Sequence, residues 1–208
     1  MHHELTLAVS RVSARVFLGL SLCRDKEWLG LTRDFMINVL TAGMALRNFP
    51  WFVRPFIKHK IPHLAKAQAT YPRARELISI VVASRREEQA RLGDKYEKPN
   101  DALQWAIDMG EPDERLADFQ LFLAGVAIHT TSAALTQMMF DICEYPEIVH
   151  ELRKEIETVM GDSGILGAKS DLHKMKLLDS FMKESQRMNP IQTRTFVSRT
   201  FLYPPLRF

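Results

Sequence analysis

One uninterrupted apolar stretch constrains the fold of this chain more than any other feature. Between Pro112 and Pro146 no proline breaks the sequence, and apolar residues recur from Leu116 through Ile142. This pattern predicts a single helix of about 30 residues, which at about 1.5 Å per residue is on the order of 45 Å long. Small residues occupy its middle, in the runs AGVA and TTSAA. A helix this long and apolar is typical of one that crosses the centre of a large helical domain.

The rest of the sequence also divides into helices joined by short loops. Apolar residues at helical spacing predict further helices over about residues 4–22, 28–47 and 63–90 and in the segment PEIVHELRKEIETVMG. Ser170 and Asp171 are predicted to cap a turn before a last helix that ends near Met188, and an extended segment is expected after Pro190. The fold class is therefore predicted to be mainly α.

Composition and charge limit the classes of protein to which the chain can belong. Its 208 residues are 46% hydrophobic and 25% charged, as in one soluble globular domain or a part of a larger one. The net charge of +3 comes from charges that are dispersed along the chain. The most charged run, SRREEQARLGDKYEKPND, is interpreted as a solvated helix face and loop. We therefore expect no nucleic-acid partner.

Cysteine usage and the first residues exclude further classes. Cys23 and Cys143 lie in apolar helical contexts without a CxxC motif, and they are interpreted as small buried side chains rather than as disulfide or zinc ligands. The opening MHHELTLAVSRVSARVFLGLSLC has no basic segment followed by an unbroken apolar run. No stretch reaches about 18 consecutive apolar residues. We expect neither a signal peptide nor a transmembrane anchor in this sequence.

A charged pair near the end of the chain is the sharpest local motif. Glu184 and Arg187 lie in the run ESQR, shortly before Asn189 and Pro190. On a helix this spacing places both side chains on one face, where the arginine fork can bind the carboxylate. Ion pairs at the same spacing also cover ordinary surface helices. Spacing alone leaves both interpretations open.

Three segments in order resemble a known family. IHTTS within the long apolar helix, then PEIVHELRKEIETV, then LLDSFMKESQRMNP are similar to the I, J and K helices of cytochromes P450, with Glu184 and Arg187 at the family's ExxR positions. The upstream run VSARVFLGLSLCRDKEW resembles the region before the substrate-roof helices of fungal members. The resemblance implies that residues 1–208 are one partial P450 domain, from roughly the E helix to the K helix, built around a long I-type helix.

The resemblance also implies roles for residues of the long helix. Thr130 matches the threonine that helps to deliver protons to dioxygen, and Ala127 supplies the small side chain that leaves room for dioxygen over the haem. His129 stands where the family has an acid, and it is interpreted either as an assistant in the proton relay or as a satisfied helix histidine. Thr130 has a local alternative as well, a bond back to the carbonyl four residues before it.

Haem is the cofactor that the resemblance implies, but the sequence lacks its cysteine ligand. The family's Phe-x-x-Gly-x-x-x-Cys-x-Gly pattern is absent from the 208 residues, and neither Cys23 nor Cys143 has the flanking glycines. No metal ligand is predicted. The resemblance implies that Glu184 and Arg187 are a structural pair, which in the family is usually completed by an arginine of a later motif, and that motif is absent from this sequence. Arg199 is interpreted as a haem-propionate contact or as a solvated side chain.

The implied activity is the oxidation of a hydrophobic small molecule in fungal secondary metabolism, with terpenoids as one substrate class. An NADPH-cytochrome reductase would supply the electrons, and complete relatives are expected at the endoplasmic reticulum membrane. The 208 residues alone are expected to be inactive. Two alternatives stay open, a non-catalytic truncated or pseudogene product of the same lineage and an all-α interaction module with coincidental motifs.

Overall fold

The computed structural model of the protein describes residues 1–161 and 169–190, and these ranges contain helices and no strand. The helices are α1 His2–Leu18, α2 Lys26–Arg47, α3 Arg54–Ile57, α4 Pro62–Leu92, α5 Ala102–Asp108, α6 Asp113–Glu144, α7 Ile148–Met160, α8 Lys169–Lys174 and α9 Lys176–Met188. Short 3₁₀ turns follow α3 at Lys58–Lys60 and α4 at Gly93–Lys95. The mainly α prediction is confirmed.

The long central helix is also confirmed. α6 runs without a break from Asp113 to Glu144. The acidic side chains in its first turn interact favourably with the positive end of the helix dipole. Among the described helices, α6 alone is long and apolar enough to cross a membrane by length and composition. Leu116, Ala117 and Leu121 of this helix belong to a buried apolar cluster. Part of its apolar surface therefore serves packing within the protein.

The chain divides into two compact units, Met1–Ser132 and Ala133–Phe208. In the first unit, side chains from α1, α2, α4, α5 and α6 form one apolar core that includes the fully buried Trp28, Ile78 and Leu103. Phe35 of α2 and Tyr71 of α4 meet edge to face, with ring centroids 5.3 Å apart. The interpretation of residues 1–208 as one partial domain stays a prediction.

A glycine ends α1 earlier than the sequence pattern predicts. The predicted helix extends to about residue 22, whereas α1 ends at Leu18 because Gly19 adopts a φ of 74°. L-residues rarely adopt this backbone conformation, and a Cβ at position 19 would also overlap the Asp101 carboxylate. Gly19 therefore allows the chain to turn sharply next to a buried charged group.

The charged end of α4 is only partly the solvated face that the sequence indicates. Arg85 is buried, and its guanidinium donates to both carboxylate oxygens of Asp101, from Nη1 to Oδ1 at 2.9 Å and from Nη2 to Oδ2 at 2.6 Å. Nη2 also donates to the Leu18 carbonyl at 3.1 Å. A charge can be buried where its hydrogen-bonding groups are satisfied in this way. The next residue, Arg86, is exposed as predicted and pairs with Asp113.

In the second unit, α7 caps the start of α9. The Glu155 carboxylate accepts hydrogen bonds from the backbone N–H groups of Leu177 at 2.7 Å and Leu178 at 2.9 Å. These N–H groups lie in the first turn of α9, where the helix itself offers them no carbonyl partner. The N-cap residue of α9, Met175, makes no side-chain hydrogen bond to this turn. The Glu155 side chain, which is distant in the sequence, therefore takes the place of a local N-cap.

Other predictions for single residues have mixed outcomes. Cys23 is buried as predicted, whereas the same prediction for Cys143 is wrong, because Cys143 is exposed. Burial on a helix depends on the face that a side chain occupies and not on apolar neighbours in the sequence. Ser170 and Asp171, which are predicted to cap a turn before the last helix, instead lie inside the short helix α8. The extended segment expected after Pro190 lies outside the described residues.

Candidate functional site

One side of α6 in the first unit exposes large apolar side chains. Phe119, Phe122 and Val126 are 38%, 62% and 49% exposed, and Thr130, one turn further along, is exposed as well. Their spacing of three and four residues places all of them on the same side of the helix. An exposed apolar face of this kind marks a surface for a ligand or for another part of a protein.

α2 crosses α6 beside this exposed side through two contacts that lie one turn apart. Nε2 of His129 donates a hydrogen bond to the backbone carbonyl of Arg33, with 2.9 Å between the two atoms. One turn earlier on α6, the Met36 side chain lies so close to Gly125 that a Cβ at position 125 would overlap it. Residue numbers rise along α2 while they fall along α6, so the two helices are antiparallel at the crossing.

One side of α2 also exposes large apolar side chains. Ile37, Leu40 and Met44 are 47%, 49% and 57% exposed, again at a spacing that places them together. At about 100° per residue, both exposed sides are rotated away from the crossing contacts, and in an antiparallel pair this places them on the same flank. We refer to the six exposed apolar side chains on these two crossing helices as the apolar wall: Ile37, Leu40, Met44, Phe119, Phe122 and Val126. Thr130 lies at one end of it.

Thr130 is the polar residue next to the apolar wall. Its Oγ1 donates to the backbone carbonyl of Val126 at 2.6 Å. This is the bond to the carbonyl four residues earlier that the sequence offers as an alternative. A threonine hydroxyl rotates and keeps lone pairs that accept, so it can exchange this bond for one to a ligand. Ala127 is half-buried on the same turn and adds little bulk beside the hydroxyl. His129 differs in direction from Thr130 by about 100° and bonds to α2.

The Glu184–Arg187 pair forms on α9 in the second unit. Nε and Nη2 of Arg187 donate to the two carboxylate oxygens of Glu184 at 2.7 and 2.6 Å. Both side chains are exposed. The hydrogen bonds from Arg187 lower the pKa of the Glu184 carboxyl, and the carboxylate in turn raises the pKa of Arg187. α9 also contacts the last part of α6, where the Ser185 hydroxyl donates to the Asp141 carboxylate.

The described residues fit one wall of a haem pocket and do not supply its iron ligand. The apolar wall could cover a flat apolar group, and the Thr130 hydroxyl could lie beside a small molecule bound there. Cys23 is buried and its Sγ donates to the Leu20 carbonyl, while Cys143 is exposed near the end of α6. Within the described ranges no group of His, Cys, Asp and Glu side chains could hold a metal ion. Arg199 lies outside these ranges.

Sequence reasoning missed the α2 half of the apolar wall. The apolar pattern over 28–47 predicts a helix, but it does not set Ile37, Leu40 and Met44 apart from the other apolar residues. A signal was available, because these residues fall on a different side of α2 from the buried Trp28 and Phe35. A helix with two separate apolar sides offers one of them to something other than its own core.

Comparison with known proteins supplies independent information on this chain. The sequence model of the family described as Cytochrome P450 matches residues 1–203. Cytochrome P450 monooxygenase AN1598 of Emericella nidulans is 42% identical over 193 residues, which cover 90% of this chain and 36% of that protein. Cytochrome P450 monooxygenase ntnM of Nectria sp is 41% identical over 184 residues, 88% of this chain and 35% of its own length.

A third relative, the Ent-kaurene oxidase P450-4 of Gibberella fujikuroi, is 36% identical over 192 residues. These residues are 90% of this chain and 36% of that protein. The chain thus spans about a third of the length of the curated relatives that it matches.

Proposed function

Since this chain belongs to the cytochrome P450 family, we propose that the complete protein is a haem-dependent monooxygenase that oxidises a hydrophobic small molecule. The observation that carries the proposal is the apolar wall of α2 and α6, which ends at an exposed threonine hydroxyl. This arrangement can bind an apolar molecule and hold one polar group next to it. Both features lie on the exposed surface of the first unit.

Each part of the site has a distinct task in this proposal. The apolar wall binds substrate by removing apolar surface from water, which contributes roughly 25 cal/mol per Å². The same side chains exclude water from the reacting groups. Haem, when bound, supplies the redox chemistry that activates dioxygen, and an NADPH-cytochrome reductase supplies the electrons. The Thr130 hydroxyl holds a proton at Oγ1 and passes it toward the bound ligand, while Ala127 keeps the space beside it open.

We propose a secondary metabolite, with terpenoids as the first class to test, as the substrate. The six side chains of the apolar wall carry no charge, so they favour a hydrocarbon skeleton over a polar substrate. One relative is named as an ent-kaurene oxidase. Regiochemistry depends on residues that complete the pocket beyond this wall.

The endoplasmic reticulum membrane is the proposed location of the complete protein. A segment between α2 and α4 combines strongly exposed aromatic side chains with basic residues, which is a composition that favours the surface of a lipid bilayer. The aromatic residues are Phe49, Trp51, Phe52 and Phe56. The basic residues around them are Arg47, Arg54, Lys58 and Lys60.

Substitution of Thr130 in the complete, haem-loaded protein tests the proposed function. Thr130→Ala removes the hydroxyl and should preserve haem and substrate binding while it lowers product formed per NADPH and raises hydrogen peroxide. General acid–base groups typically contribute about 10² to 10⁴ in rate, so the loss of coupling should exceed about twofold. Thr130→Ser keeps the hydroxyl and should retain more coupling. Product, peroxide and NADPH consumption are measured together.

Thr131→Ala is the matched control, because Thr131 is also an exposed threonine on α6 but points in a direction about 100° away. It should leave the ratio of product to NADPH unchanged. Unfolding would lower NADPH consumption and product together and is thereby distinguished from uncoupling. Unchanged coupling in a folded Thr130→Ala protein would leave Thr130 as a residue of helix packing alone.

A further inference from the structure

The contact between α2 and α6 gives His129 a role different from proton transfer. We propose that His129 is a positioning residue, which fixes α2 against α6 through the Arg33 carbonyl and so sets the geometry of the apolar wall beside Thr130. The proposal deepens the proposed function and rests on it for the identity of the ligand. The contact itself is a property of the fold and can be tested without turnover.

The chemistry of the hydrogen bond defines what His129 does. A backbone carbonyl only accepts hydrogen bonds, so Nε2 of His129 must carry the proton that it shares with Arg33 at 2.9 Å. The carbonyl lies in the middle of α2, where its other lone pair serves the helix. The ring is half-buried and directed at the backbone of a neighbouring helix. This geometry suits a fixed donor better than a group that must release and regain a proton.

A second contact makes the crossing well defined. Met36 packs on Gly125 one turn away from the histidine, and the absence of a side chain at position 125 lets α2 approach closely. One contact between two helices fixes a distance, whereas two contacts a turn apart also resist rotation about the contact. The side chains Ile37, Leu40 and Met44 follow directly on α2. Their position relative to Phe122 and Val126 therefore depends on this crossing.

The proposal also explains why an acid is absent from position 129. The resemblance leads one to expect a carboxylate there, but an ionised carboxylate has no proton to donate to a carbonyl. An acid at this position would leave the Arg33 contact unmade and place a negative charge beside a carbonyl oxygen. A histidine or an amide can make the contact. The histidine that departs from the family pattern is thus the residue that makes the contact with the Arg33 carbonyl.

Three substitutions of His129 in the complete, haem-loaded protein separate the possible roles. His129→Gln keeps an N–H donor without an imidazole, His129→Phe keeps a ring without a donor, and His129→Asp restores the acid of the family pattern. A positioning role predicts that Gln resembles the wild type while Phe and Asp are impaired. If His129 is instead a proton relay, His129→Gln should be impaired and His129→Asp should resemble the wild type, because Asp can transfer a proton and Gln cannot.

Two measurements are made on each variant. The first is amide hydrogen exchange over residues 30–44 of α2, which needs no turnover. Loss of one such hydrogen bond should speed exchange there by about three- to tenfold in the Phe and Asp variants. The second is the substrate dissociation constant together with kcat. The same two variants should weaken substrate binding by a similar factor, with a smaller change in kcat and a broader set of products.

His63→Phe is the matched control. His63 Nδ1 and Asn38 Oδ1 lie 2.9 Å apart, so this histidine also contacts α2, but from α4 rather than from α6. Its substitution should leave substrate affinity and product distribution unchanged. If the His63 variant alters substrate binding as much as His129→Phe does, the crossing with α6 has no special role and the proposal is wrong.

The remaining outcomes also decide the matter. If His129→Asp keeps coupling and substrate affinity while Gln and Phe lose coupling, His129 is a relay residue and the positioning role is overturned. Equal α2 exchange in all variants would overturn it as well. If the protein oxidises no substrate, the exchange rates still report on the crossing, so failure of the proposed function and failure of this inference are distinguishable. If the His129→Asp protein does not fold, the comparison of His129→Gln with His129→Phe decides whether His129 has a positioning role.

Discussion

Two bidentate arginine–carboxylate pairs occupy opposite surroundings in this protein. In the first unit, Arg85 and Asp101 have side chains that are only 9% and 1% exposed. In the second unit, Arg187 and Glu184 form an equally short pair with side chains that are 66% and 59% exposed. Each guanidinium donates to both carboxylate oxygens of its partner. The pairs therefore differ most in their environment, and Arg85 also donates to the Leu18 carbonyl.

A match to a sequence motif therefore does not by itself indicate a large contribution to the stability of the fold. Glu184 and Arg187 match a family motif, yet among the described residues the pair is an exposed contact within one helix, which water and salt screen. Arg85 and Asp101 match no motif, but they join α4 to α5 and reach the end of α1 at Leu18. A buried pair is costly to break because the remaining charge has no water around it.

Breaking the buried pair should have the largest effect. Arg85→Ala leaves the Asp101 carboxylate buried without its partner and should lower the free energy of unfolding of the first unit by about 3–5 kcal/mol. Urea unfolding followed by tryptophan fluorescence measures this, because Trp28, Trp51 and Trp105 all lie in the first unit.

The neighbouring Arg86→Ala is the control for that experiment. Arg86 forms a bidentate pair with Asp113, with 2.6 and 2.7 Å between the paired atoms, but both side chains are more than half exposed. Its loss should cost at most about 1 kcal/mol. Equal destabilisation by the two substitutions would show that burial does not distinguish the pairs, and the comparison would fail.

The exposed pair should reveal itself in titration rather than in stability. Because Arg187 lowers the pKa of Glu184, its contribution is present above the ordinary glutamate value of 4.5 and is lost as the pH falls through the lowered pKa. In Arg187→Gln, carboxyl NMR should find the pKa of Glu184 back near that value. Asp179, whose pKa is lowered by Lys183 on the same helix, should keep its lowered pKa. An unchanged Glu184 titration would contradict the observed pairing.

Periodicity and proline positions were enough to predict the longer helices among the described residues, but not the short helices α3 and α5. The long helix, predicted from Pro112 and Pro146, is found as Asp113–Glu144, and the helix predicted over 63–90 is found as Pro62–Leu92. These signals are local, since they depend on propensity and on which side of a helix is apolar. Gly19 changed the end of α1 through a positive φ that the apolar pattern does not encode.

Contacts between distant segments could not be predicted in this way. Arg85 lies in a run whose other charges indicate a solvated surface, and its burial depends on Asp101 and Leu18 arriving beside it in the fold. The bond from His129 to Arg33 joins residues that are far apart in the sequence and was equally invisible. Thr130, by contrast, could be singled out from the resemblance, and its proton-delivery role stays a prediction.

We propose that in the complete protein this chain supplies one wall of a haem monooxygenase site and a segment outside these 208 residues supplies the thiolate ligand. The absorption spectrum of the reduced, carbon monoxide-bound form tests this most directly, measured on the complete protein and on the 208-residue chain after incubation with equal amounts of haem. We expect the shifted Soret band of a thiolate-ligated haem from the complete protein and no such band from the chain alone. A stoichiometric shifted band from the 208-residue chain, or its absence from a folded, haem-loaded complete protein, would contradict it.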